Sequence, residues 1–149
     1  MTAANRDNTT LIDVLDEQIR EAEAMLQALA LENQALLDND TDRLNLAGAD
    51  KARRVESLEN LEQERRDLTA ALQIELSSVD ATDAGIKWRE LLNLIDECRQ
   101  RNQRNGSLVR ARREQVLGTL KALRGTETEI YDARGLERPA RSARRLGSA

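Results

Sequence analysis

The chain has 149 residues, 34% of them charged and 1% aromatic, with no His or Phe, one each of Cys, Trp, Tyr and Pro, and a formal net charge of −4. That inventory excludes a disulfide within the chain, zinc centres and nucleophile pairs built on His. The negative total argues against general nucleic-acid binding, and no apolar run approaches the roughly 20 residues that span a membrane.

Leu, Ala, Glu and Arg dominate, which is the composition of long helices or coiled coils. At this length a single domain is expected. The lone Cys98 implies a reducing compartment, and the polar first ten residues do not form a signal peptide, so a cytoplasmic location is expected.

Thr9 and Thr10 are placed to cap a first helix, with Asp13 three residues beyond Thr10. From Ile12 through Leu15, Ile19, Ala22, Leu26, Leu29 and Asn33 to Leu36, seam residues recur every three or four positions, widened by Leu11, Met25 and Leu37. Asp38, Asn39, Asp40 and Thr41 end it, because short polar side chains compete for backbone groups. A second seam begins at Thr41 or Asp42 and runs Leu44, Ala47, Lys51, Arg54, Leu58, Leu61, Arg65, Leu68 and Leu72. So short a connection predicts an antiparallel helical hairpin.

Residues 77–85 are polar and predict a loop. The third seam starts near Ala84 or Ile86 and passes through Trp88, Leu91, Ile95, Cys98, Asn102, Asn105, Val109, Arg112, Val116, Leu120 and Leu123, with Gly125 placed to stop it. Beyond it, Gly135, Pro139 and scattered Arg residues have no sustained period. The expected fold is all-α: an elongated antiparallel bundle of three long amphipathic helices at about residues 10–38, 42–76 and 86–124. Residues 1–125 would form the bundle and 126–149 a disordered, flexible tail.

Charge is unevenly distributed. Residues 9–38 hold seven acids and one Arg, whereas residues 98–113 hold six Arg and no acid. The Arg cluster either lies against the acidic first helix, solvates a face, or docks an acidic partner. Arg54, Arg65, Asn102, Asn105 and Arg112 occupy seam positions where burial without partners would be costly.

No constellation supports catalysis, and no cofactor is expected. Carboxylate pairs such as Glu17 with Glu21 suit solvated faces, and Cys98 suits a small core residue. Asn102, Asn105 and Gly106 interrupt good helix formers in mid-helix, a pattern suited to fixing helix register. Tyr131 is the tail's single aromatic residue; it either folds back on the bundle or anchors a partner.

Several spacings together resemble the FlgN family of flagellar export chaperones. They are the Leu-rich first helix ending across residues 32–40, Lys51 after Leu44, Leu46 and Ala47, and Trp88 opening the third helix. Asn102-x-x-Asn105-Gly106, Leu120-x-x-Leu123-x-Gly125 and Tyr131-x-x-x-Gly135 continue the match, while the Arg-rich stretch 138–145 departs from it. The resemblance implies a cytosolic chaperone of hook–filament junction proteins, which are hook-associated proteins of the flagellum. It would bind their C-terminal helices, prevent premature assembly and deliver them to the cytosolic domain of the type III export gate, without ATP or membrane insertion. By the same resemblance, Val109, Val116, Leu117, Leu120 and Leu123 would contact the client, and Tyr131 with Gly135 would dock on the gate. The alternatives are a structural coiled coil that self-associates, at least as a weak homodimer, and a weak nucleic-acid binder.

Overall fold

The apolar residues of the first seam fall on one face of a helix, and they need a second surface to cover them. In the computed structural model that surface comes from two further helices. The structure describes residues 2–133, with the side chains of residues 4, 5 and 126–133 left out. In chain order it has α1 (Ala3–Asp38), α2 (Thr41–Leu72), a short 3-10 turn (Leu76–Ser78) and α3 (Asp83–Ala133), and no strand among the described residues. The chain divides into two compact units, Met1–Leu108 and Val109–Ala149.

In the first unit α1 and α2 are antiparallel, as Glu21 meets Arg54 and Glu32 meets Lys51. α3 runs parallel to α1, since Asp16 meets Lys87 and Leu29 meets Asn105. The chain reverses between α1 and α2 at Asn39, whose φ of 55° closes the helix in the left-handed region. Asp40 then caps α2 by accepting from the Arg43 amide at 3.1 Å. Gln73 repeats the left-handed ending at the far end of α2 with φ 53°.

Three expected boundaries differ. α2 ends at Leu72 rather than near residue 76, because Gln73 turns left-handed and closes it. α1 begins at Ala3 rather than at a threonine cap, because the Thr10 hydroxyl donates back to the Arg6 carbonyl at 2.9 Å within the helix. α3 passes through Gly125 to Ala133. A glycine stops a helix by turning left-handed, and Gly125 does not, so its cost is only the propensity term of about 1 kcal/mol. The remainder of the expected disordered tail lies outside the described residues.

The core is graded along its length. At one end Leu11, Leu15, Ile19, Ala22, Leu76, Ala84 and Leu91 form a buried cluster, flanked by Leu68, Leu72, Val79 and Trp88. Full burial of each Leu contributes about 1.5–3 kcal/mol. The connection between α2 and α3 is therefore partly core: Leu76 is buried and Val79 packs beside it. Thr82 caps α3 by accepting from the Gly85 amide at 3.1 Å. Gly85 is obligatory at this point, because a Cβ there would lie 2.0 Å from the Val79 carbonyl oxygen. Further along, Met25, Leu29 and Cys98 form a smaller cluster.

Beyond Leu29 a polar layer crosses the interior, with Ala35 and Leu36 buried past it on α1. Glu32, only 8% exposed, accepts from Lys51 Nζ at 2.9 Å and from Asn105 Nδ2 at 2.9 Å. Lys51 also donates to Asn102 Oδ1 at 3.0 Å, and Asn33 donates to Asn105 Oδ1 at 3.0 Å. The second amide proton of Asn105 reaches the Leu29 carbonyl at 2.9 Å. All three helices contribute to this layer.

Two outcomes test this packing. Gly85→Ala should lower stability by about 1–3 kcal/mol in thermal melts, through the forced shift of the Val79 backbone; an unchanged melt would mean that the connection yields freely. Glu32→Ala should cost about 2 kcal/mol or more in urea denaturation, because Lys51 and Asn105 lose their acceptor. In that background Lys51→Met should cost less than in the wild type, and strict additivity would show the pair to be uncoupled.

Candidate functional site: an uncovered face of α3

The seam positions expected to be costly divide into two groups. In the first unit they are partnered. Arg54 reaches Glu21 at 3.3 Å, and Arg65 bonds Glu62 at 2.6 Å while stacking 4.4 Å from the Trp88 ring centre. The Arg65 bond, with lesser help from Gln18 and Arg66, holds the Glu62 carboxyl below the usual carboxylate range. Lys87 bonds Asp16, and that bond raises its ammonium above the ordinary lysine value. Asn102 and Asn105 lie in the polar layer, with Gly106 half-buried beside them.

Part of the charge cluster on α3 lies beside α1, as one expectation had it, but Arg99, Arg101 and Arg104 form no ion pair with its acids among the described residues. Arg99 pairs with Asp96 and Arg101 with Glu97, both on its own helix. The acids of α1 pair instead with Lys51, Arg54 and Lys87. Residues 98, 102 and 105 turn toward α1 or α2, and Arg101 and Arg104 border the same face, lining a cavity with Leu29, Ala30, Asn33 and Gln34 of α1.

In the second unit the side chains of the same seam are exposed. Val109 is 39% exposed, Val116 54%, Leu117 58%, Leu120 48% and Leu123 57%. At 100° per residue Val109, Val116, Leu120 and Leu123 fall within an arc of about 60°, with Leu117 beside it. These five are the residues expected to contact a client, and the helix brings them onto one side. Arg112, half-buried in the same face, has no hydrogen-bond or ion-pair partner among the described residues. Tyr131 belongs to the helical backbone of α3 with its side chain outside the described residues, and Gly135 lies outside them altogether.

Sequence reasoning missed two parts of this arrangement. Glu32 was assigned no role, although Asn33 and Lys51 on facing seams signalled a polar layer that needs an acid. Leu76 and Val79 gave too short a signal to mark the connection as core. No group of three or more metal-ligating His, Cys, Asp or Glu side chains occurs among the described residues. Burial raises the Cys98 thiol above its ordinary value, with Glu97 adding to the effect, so the thiolate nucleophile is disfavoured. Also among the described residues, no helix is long and apolar enough to cross a membrane.

No curated protein and no solved structure is significantly similar to the chain. The family model described as "FlgN protein" matches residues 1–139, almost the whole length. Three long helices are the fold that the seams predict, and the chain belongs to the FlgN family of flagellar export chaperones.

Proposed function

We propose that the chain is a cytosolic chaperone that holds the C-terminal helical region of flagellar hook–filament junction proteins, keeps them from assembling early and hands them to the type III export gate. The observation that supports this reading best is the run of exposed Val and Leu side chains on α3. A helix with an uncovered apolar face of this kind is half of a helix-in-groove contact. Val109, Val116, Leu117, Leu120 and Leu123 are the client contacts in this reading. Asn102, Asn105 and Gly106 set the register that presents them.

Residues 126–149 act as the tail that meets client or gate, with Tyr131 and Gly135 as the gate anchor. The chain needs no cofactor and performs no chemistry. The exposed face also favours one other occupant, a second copy of the chain, which would make the protein a self-associating coiled coil.

Leu120→Asp separates these readings from ordinary core packing. It places an unpaired carboxylate on the proposed contact and should abolish binding of a junction-protein C-terminal fragment in calorimetry, with little change in the melt. Equal affinity in variant and wild type would remove the site, and a collapsed fold would make Leu120 part of the core. Client-free, concentration-dependent dimers in sedimentation, lost in the variant, would favour self-association. For delivery, Tyr131→Ala should leave client affinity intact and weaken binding to the gate's cytosolic domain by about 2 kcal/mol. A parallel loss of both affinities together with a lowered melting temperature would make Tyr131 structural, and unchanged affinities would place gate docking elsewhere.

A further inference from the structure

The apolar face of α3 is embedded in positive charge. Residues 109–124 carry Arg110, Arg112, Arg113, Lys121 and Arg124 against a single acid, Glu114, a local net of +4 in a chain whose total is −4. By helical geometry Arg112 borders one edge of the face, Lys121 lies beyond Leu117 on the other, and Arg113 rises between Leu120 and Leu117. Arg112, Arg113 and Lys121 are bonded to no carboxylate among the described residues. In the first unit Lys51, Arg54, Arg65 and Lys87 each meet an acid, whereas Arg104 meets none among the described residues.

We propose that the occupant of this face is an amphipathic helix whose apolar stripe is flanked by Asp and Glu, so that charge selects among helices that would otherwise fit equally well. The proposal rests on the reading of the face as a client site and deepens it by stating the client's chemistry. A second copy of the chain is the poorer occupant. In either direction a partner α3 sets Arg112 and Arg113 against their own equivalents or against Lys121, cation facing cation. A polyanion such as nucleic acid would satisfy the cations but leave Val116, Leu117 and Leu120 in water.

Magnitudes set the division of labour. Three exposed ion pairs together change affinity by about tenfold at low salt, and less as salt shortens the screening length. The leucines supply most of the affinity, and the cations set preference and encounter rate.

The test uses the full chain and two synthetic helical peptides of roughly 20 residues, long enough to cover the face. They share one leucine stripe and differ only in carrying Glu or Lys beside it. The Glu peptide should bind about tenfold tighter at low salt, with the gap closing at about 0.5 M NaCl. The triple variant Arg112→Gln, Arg113→Gln, Lys121→Gln should erase the gap while keeping wild-type helicity by circular dichroism. Equal binding of both peptides by the wild type, lost in Leu120→Asp, would overturn the charge selection and leave the apolar client site standing. Binding of neither peptide would overturn the client site and the selection with it. A Glu preference that survives Leu120→Asp would place acid recognition on another surface and overturn the assignment to this face. Dimers of the chain alone, disrupted by Leu120→Asp, would make a second copy the occupant and equally overturn it.

Discussion

The arrangement of the first unit turns on one carboxylate. Glu32 is nearly inaccessible to water, and an ionised side chain in that position is tolerable only with donors on several sides. Lys51 on α2 and Asn105 on α3 supply them. The condition is geometric: sliding any helix by one turn, about 5.4 Å, would strand a charge in the interior. Leucine contacts tolerate such a slip far better, because dispersion is not directional. The apolar end therefore supplies most of the stabilisation, and the polar end supplies alignment.

This division explains the thinness of the hydrophobic interior. α2 has a single fully buried residue, Ala47, and contributes mainly long polar side chains that lie across α1. Arg54 and Arg65 cover apolar surface with their stems while their heads reach carboxylates. Such an interior is adequate in the first unit because the connection before α3 folds Leu76 and Val79 over its end. Among the described residues of the second unit there is no equivalent supply, and Val109, Val116, Leu117, Leu120 and Leu123 stay in contact with solvent.

Local chemistry was the part of the fold legible in the sequence. The turn at Asn39 and Asp40 was evident because each residue acts through its own backbone. The helical faces followed from periodicity, down to the position of Cys98 inside the interior. Long-range features were hidden. Nothing near Glu32 in the sequence reveals that residues 19 and 73 positions away complete its bonds. Gly85 is indispensable because of a carbonyl six residues earlier, whereas Gly125, equally conspicuous, meets nothing within 4 Å. For the candidate site, the spacing of Val109, Val116, Leu120 and Leu123 gave the face but not its exposure. Periodicity states which side chains travel together and is silent on what covers them.

The placement of Trp88 has an optical consequence. The chain has one Trp, one Tyr and no Phe, so its near-ultraviolet emission is governed by a single indole. That ring lies half-buried at the apolar end of the first unit, beneath the Arg65 guanidinium at 4.4 Å. Its fluorescence is therefore an intrinsic gauge of whether α2 and α3 are joined at that end. Residues 109–123 contain no chromophore of this kind, so a ligand free of Trp that settles there without loosening the first unit would leave the emission unchanged. Any spectral shift on adding such a ligand then reports separation or tightening of the helices around Trp88, a readout of mechanical strain passed along the fold.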